Sequence, residues 1–200
     1  MSEPLRRAGR LRVPDGAHIL WTVADGSRGR RWRSSTTRAD ALVGTLLLEL
    51  APDGRLGRLE LATAAGLLTL HPDHGGERIQ GNLAGPAGVR HLELAWGPGH
   101  VLLVSGSPIV AAAAIRQVTA HRPATADGVG EGTLPRPAIL VGDDLAPRLV
   151  VARFERLAER SWTITVRGLE EQIEVDSRGV PTFEGTSKEW ALEREHGGGL

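Results

Sequence analysis

Most of this chain consists of short runs in which apolar and polar residues alternate, and this alternation constrains the fold more than any other feature. In the run "GVRHLELAW", Leu92, Leu94 and Trp96 occupy one parity, while His91 and Glu93 occupy the other. A period of two places successive side chains on opposite faces of a β-strand. We therefore expect a sheet that buries the face with Leu92, Leu94 and Trp96.

The turn sequences between these runs indicate that neighbouring strands are antiparallel. The run "LVGTLLLEL" is followed by "APDG", in which Asp53-Gly54 supplies the positive φ of a tight hairpin. One segment, "SPIVAAAAIRQVTAH", breaks the rhythm and predicts a helix, because Ser107 is a good N-cap and Pro108 fits the first helical position. The sequence predicts a mainly β fold: an antiparallel β-barrel or half-barrel of roughly ten strands with one covering helix.

The chain length suits a single domain with short extensions at both ends. Of the 200 residues, 1–16 lack periodicity and are expected to form a flexible arm. Residues 17–192 are expected to form one β-barrel-like domain, and residues 193–200 a disordered tail. The apolar runs are far shorter than the ~18 residues that a membrane-spanning helix needs. The basic start is followed by no apolar stretch of the kind found in secretion signals. We expect a soluble, cytoplasmic protein.

Composition and motifs argue against several classes of function. The formal net charge is zero, so there is no electrostatic reason to bind nucleic acid. The chain has no cysteine, which removes thiol catalysis, disulfides and cysteine-based zinc sites. We find no glycine-rich phosphate loop and no nucleophile elbow, and the N-cap role accounts for Ser107. No cofactor is expected.

The turn "HPDHGGE" is the best candidate for a metal site. It brings together two histidines and two carboxylates: His71, Asp73, His74 and Glu77. Metal sites do combine histidine with aspartate or glutamate, but this spacing matches no compact ligand template. We interpret the segment as a surface turn and predict no metal site.

Tryptophan is the dominant aromatic residue, with five Trp against two Phe and no Tyr. Four of them lie in predicted strands and have two interpretations: core anchors, or the lining of a cavity for an apolar ligand. For the cavity we name the candidate lining residues Trp21, Trp32, Trp96 and Trp162, with Arg33 or His91 as polar contacts.

The basic segment "RGRRWRSS" also has two interpretations. Alternation puts Arg30 and Trp32 on one face of the strand, and Arg31 and Arg33 on the other. The segment is either an anion clamp at the mouth of a cavity or a solvated strand that is protected by charge.

The pair His91 and Glu93 leaves two alternatives open. If only the face with Trp96 is covered, both side chains are in solvent. If both faces of this strand are covered, they form a buried acid/base pair that is able to support catalysis.

Two segments resemble a glycolipid-binding family. One runs from "RRWRSS" through "TLLLELAPDGRLGRLELATAAGLLTLHPDHGGERIQGN", a series of hairpins; the other is "RFERLAERSWTITVRGLEEQIEVDSRGVPTF", a closing hairpin. This resemblance implies a curved antiparallel half-barrel with helix cover, like that of bacterial lipoprotein carriers. It also implies an apolar ligand in the concave face.

Two functional hypotheses follow. The first is a binding protein that holds an apolar or amphipathic small molecule, lipid- or glycolipid-like, in a Trp-lined barrel cavity. The second is a cofactor-independent cyclase or isomerase that folds a hydrophobic, natural-product-like substrate in the same cavity, with His91 or Glu93 as acid or base. The expected partner is a hydrophobic small molecule, and a homodimer formed through an edge strand is left open.

Overall fold

The protein is mainly β with one helix, as the alternation predicts. The computed structural model describes residues 5–12, 16–120, 133–182 and 191–193. Within these residues the strands form two sheets, one of nine strands and one of six, and a single helix joins them in sequence. None of the described helical residues forms a segment long and apolar enough to cross a membrane.

The larger sheet is a run of consecutive antiparallel hairpins. Its first eight strands are β1 (Arg6–Arg12), β2 (His18–Gly26), β3 (Gly29–Arg38), β4 (Ala41–Leu50), β5 (Leu56–Thr63), β6 (Gly66–Pro72), β7 (Arg78–Gly85) and β8 (Gly88–Ala95). Because every connection is a hairpin, the strands lie side by side in chain order.

The smaller sheet follows. It contains β9 (Val101–Val104), β10 (Leu134–Val141), β11 (Pro147–Arg156), β12 (Ser161–Val166), β13 (Leu169–Val175) and β14 (Pro181–Thr182). Helix α1 (Pro108–Ala120) connects β9 to β10, which pair in parallel; the other pairs are antiparallel. The last described strand, β15 (Ala191–Glu193), returns to the larger sheet and pairs with β1.

The first strand corrects the expectation of a flexible arm at residues 1–16. Arg6–Arg12 pairs with β2 along its whole length, from Arg6 opposite Ala24 to Arg12 opposite His18. The segment "RRAGRLR" carries no apolar alternation, so its strand is held by backbone pairing with β2 on one side and β15 on the other. Part of the predicted tail, residues 194–200, lies outside the described residues.

Helix α1 is buried between the two sheets. On one side Ile109, Val110 and Ala113 belong to the cluster formed by the inner face of the larger sheet. On the other side Ile115 and Val118 pack with residues of the smaller sheet. A helix with apolar residues on two faces needs cover on both, and its alanines let both sheets approach closely. Ser107 caps it as predicted, since its Oγ accepts a hydrogen bond from the Val110 N–H at 3.5 Å.

The two sheets are also tied by a buried guanidinium. The Nε and Nη2 of Arg30 on β3 donate to the two carboxylate oxygens of Asp25 on β2, at 2.6 and 2.8 Å. Its Nη1 donates to the carbonyl oxygen of Arg178, in the turn between β13 and β14, at 2.6 Å. Arg30 is only 5% exposed, so each of these contacts replaces hydration that the guanidinium has lost.

We predict that Gly9→Ala destabilises the protein by about 1–3 kcal/mol, because the space beside the Cα of Gly9 is already filled. A Cβ at Gly9 would lie 2.6 Å from the indole ring of Trp21, which is itself buried. The measurement is urea unfolding. Gly26→Ala is the matched control, since its Cβ would meet nothing within 4 Å. Equal loss of stability in both variants would contradict the packing argument.

We predict that Asp25→Asn lowers stability at neutral pH and that this difference disappears in acid. The hydrogen bond from Arg30 lowers the pKa of Asp25 below its ordinary value of 3.8. A lowered pKa means that the contribution is present above about pH 4 and is lost as the pH falls through the folded-state value. Unfolding curves of both proteins between pH 7 and pH 2 test this prediction. A difference in the free energy of unfolding that does not narrow in acid would contradict it.

Candidate functional site

Four connections of the larger sheet meet at one of its ends. In an antiparallel sheet every second connection lies at the same end. The turns β2–β3, β4–β5 and β6–β7 and the loop from β8 to β9 therefore share one end. The last turn of α1 reaches the same end, because the side chain of Gln117 contacts the β4–β5 turn.

A cleft of about 690 Å³ opens between the β4–β5 and β6–β7 turns, the loop from β8 to β9, the helix and the first residues of β10. Its lining mixes apolar and polar groups. The apolar side chains are Leu56, Pro72, Trp96, Pro98, Val101 and Val118, and the polar ones are Asp53, Arg55, Asp73, His74, Glu77, His100, Gln117 and Arg136. The size is typical of sites for small organic ligands.

The loop after β8 holds Trp96 and His100 together on one wall. Pro98 and Gly99 occupy the central positions of a turn in which the His100 N–H donates to the Gly97 carbonyl at 3.1 Å. Gly99 has a φ of 83°, which suits the third position of a type II turn. The turn brings the two rings to a centroid distance of 5.4 Å at an interplanar angle of 42°. The wall therefore presents two adjacent aromatic rings.

A buried amide fixes the opposite wall. The Nε2 of Gln117 donates to the carbonyl oxygen of Gly54 at 2.7 Å, and both residues are buried. Gly54 closes the β4–β5 turn by donating to the carbonyl of Ala51 at 2.8 Å. This buried hydrogen bond ties the helix to the hairpin on this side of the cleft.

Arg136 brings a cation to the cleft from β10. Its side chain is half-buried, and its Nη1 is 3.7 Å from the position that a Cβ would occupy at Gly99. Among the described residues it forms no ion pair, whereas Arg55 in the same lining pairs with Asp53 at 2.6 Å. Its donors are therefore available to a ligand.

The turn "HPDHGGE" has the role of a surface turn. The Oδ1 of Asp73 accepts hydrogen bonds from the backbone N–H groups of Glu77 and Arg78, at 3.1 and 3.3 Å. That carboxylate closes the turn, and His74 lies in the lining of the cleft. In the part of the chain that the structure describes, no group of three or more histidine and carboxylate side chains could hold a metal ion.

Of the tryptophans predicted to line a cavity, the structure brings only Trp96 to the cleft. Trp21 and Trp32 pack against each other on the inner face of the larger sheet, with ring centroids 5.8 Å apart. Trp162 lies in the cluster of the smaller sheet, and the guanidinium carbon of Arg156 is 5.9 Å from its ring centroid. These three tryptophans are at most 3% exposed, so they are core anchors and do not line the cleft.

The two predicted polar contacts lie away from the cleft. Arg33 and His91 are exposed on the outer face of the larger sheet. Trp32 and Arg30 do share the buried face, as the alternation predicts. Glu93 is exposed as well and pairs with Arg78 on the neighbouring strand. Among the described residues nothing covers this face of β8, and His91 and Glu93 do not form a buried acid/base pair.

Arg136, His100 and Gln117 are site residues that the local sequence pattern does not predict. The residues "GPGH" after β8 indicate a turn, but nothing in them shows that the His100 ring lies beside that of Trp96. A usable signal did exist: counting hairpins places alternate turns at one end of the sheet. The positions of Gln117 and Arg136 depend on how the two sheets pack on α1, which alternation does not specify.

Comparison with known proteins supports the fold only. No protein-family model matches this chain, and no curated protein does. Among solved structures, the chain is similar to a DUF1089 family protein from Pseudomonas aeruginosa. The two share 15% sequence identity and a TM-score of 0.52, over 94% of this chain and 93% of that one. At this identity the likeness shows a common fold and carries no information on ligand or activity.

We predict that Gln117→Leu destabilises the protein by about 1–3 kcal/mol, because the buried carbonyl of Gly54 loses its donor. Chemical denaturation measures the loss. Thr119→Ala, an exposed change on the same turn of the helix, is the control and should stay within about 0.5 kcal/mol. A neutral Gln117→Leu would mean that the helix does not hold this wall of the cleft.

Proposed function

We propose that this protein binds an amphipathic small molecule, lipid- or glycolipid-like, in the cleft beside Trp96. The observation that carries the proposal is the cleft itself, in which a half-buried indole and aliphatic side chains share the lining with a cation that has no carboxylate partner among the described residues. A ligand that covers the exposed apolar surface of a concave site removes this surface from water, which lowers the free energy.

The distribution of groups favours an amphipathic ligand over a purely apolar one. Trp96, Pro72 and Pro98 offer apolar surface, and they are accompanied by His100 and Arg136. A purely apolar ligand would strip water from these polar groups without replacing their hydrogen bonds, which is unfavourable. A ligand with one polar end meets both requirements.

The resemblance to a glycolipid-binding family agrees with this proposal. The cyclase or isomerase alternative loses its proposed acid and base, since His91 and Glu93 are both exposed on the outer face of the sheet. No other observation favours it. A cytoplasmic location and a homodimer through an edge strand stay predictions.

We predict that Trp96→Ala weakens ligand binding at least about tenfold, because the indole supplies much of the apolar contact area. The first measurement is native mass spectrometry of the protein purified from its own host, compared with its denatured mass. The second is isothermal titration with octyl glucoside and with oleate, using glucose as the purely polar probe.

Leu94→Ala is the matched control, since Leu94 is half-buried on the same strand and does not line the cleft. His91→Ala tests the outer face in the same way. Binding that is lost equally in Trp96→Ala and Leu94→Ala would show general destabilisation and no specific site. An empty protein that binds neither amphiphile would overturn the proposal.

A further inference from the structure

A second group of side chains lies at the same end of the larger sheet and does not belong to the cleft. It centres on the buried Arg30 and its partly exposed partner Asp25. Helix α1 adds Arg116, whose Nη1 donates to the carbonyl oxygen of Arg178 at 3.3 Å, beside the Arg30 Nη1 that donates to the same atom at 2.6 Å. Two guanidinium groups therefore converge on one carbonyl oxygen. We call Asp25, Arg30, Arg116 and Arg178 the arginine cluster.

Positive charge exceeds negative charge in the arginine cluster. The three arginines are accompanied by one carboxylate, and the cations of Arg116 and Arg178 both contribute to lowering the pKa of Asp25. The nearest other ion pair, Arg7 with Asp176, is neutral as a unit. Each oxygen of Asp25 already accepts a hydrogen bond from Arg30, and the one negative charge of this carboxylate faces three cations.

The contacts that Arg116 makes within the fold do not account for its position. Its side chain is half-buried and packs over Gly179, where an added Cβ would lie 3.6 Å from its Cβ and Cδ. Burial and the neighbouring Arg30 both lower its pKa, so its charge is held in an unfavourable place. Within the described residues Arg116 makes a single long hydrogen bond, although a guanidinium has five N–H donors.

The turn after β13 is built so that it presents this carbonyl and keeps Arg178 beside it. The Oδ1 of Asp176 accepts hydrogen bonds from the N–H groups of Arg178 and Val180, at 2.8 and 2.9 Å. Gly179, with a φ of 70°, completes the turn. The side chain of Arg178 is exposed, so the cluster is open to solvent on that side.

We propose that the arginine cluster is a binding site for a phosphate-class oxyanion, with Arg116 and Arg178 as the contacting cations. The Asp25–Arg30 pair positions the Arg178 carbonyl and, through it, Arg116. A tetrahedral oxyanion supplies the acceptors that Arg116 lacks and offsets the excess positive charge. Guanidinium groups suit it because they donate parallel hydrogen bonds to two of its oxygens. This inference is independent of the ligand proposed for the cleft.

The test is isothermal titration of the full chain with inorganic phosphate, and then with phenyl phosphate and with vesicles that contain phosphatidic acid. These probes share the phosphate group, and their relative affinities identify its source: free phosphate, a small phosphomonoester or a lipid headgroup. We expect saturable binding at one site. Arg116→Gln should weaken it at least about tenfold, as expected for the loss of a charge-assisted contact.

Arg178→Ala is the second variant, because it removes an exposed cation and leaves the backbone carbonyl in place; it should weaken binding similarly even if Arg116→Gln folds poorly. Arg33→Gln is the matched control: it removes one positive charge from the outer face of the same sheet and should change affinity less than about twofold. Equal weakening by all three variants would indicate unspecific attraction and would overturn the proposal. So would the absence of saturable binding of any probe, which would leave Arg116 as a strut between α1 and the turn.

Discussion

The burial of α1 between the two sheets is the constraint on which the rest of the structure depends. Its two apolar stripes face different sheets, so the helix forms the shared centre of both cores. Alanine at Ala111, Ala112 and Ala114 keeps the helix narrow enough for the sheets to close around it. A larger side chain at any of these positions would separate the layers, because the space around a buried helix is already filled.

The same helix organises both proposed sites. Arg116 and Gln117 are adjacent in sequence, and a helix directs adjacent side chains about 100° apart. Arg116 therefore reaches the turn after β13, while Gln117 reaches the β4–β5 turn. The position of one helical turn determines the geometry of the arginine cluster and of one wall of the cleft. Neither site is complete in either sheet alone.

Local pattern predicted the fold class well and the site poorly, and the reason is physical. Alternation and turn chemistry act between neighbours along the chain, so the hairpins, the N-cap at Ser107 and the buried face of Trp32 could all be derived. Strand β1 could not be derived from alternation, because backbone hydrogen bonds hold it and Gly9 leaves space for the Trp21 ring. The position of Arg136 in the cleft depends on how two sheets pack on one helix, which is a relation between distant segments.

The pairing of β15 with β1 has a consequence for how the molecule is made. Arg10 lies opposite Ala191, so two neighbouring strands at one edge of the larger sheet are far apart in the chain. A ribosome delivers β1 first and β15 last, so the free edge of β1 stays exposed for almost the whole of synthesis. Pairings of such long sequence separation form slowly, and an uncovered edge can pair with other chains. The charged segment "RRAGRLR" suits this interval, since four arginines on an open strand discourage association before its final neighbour arrives.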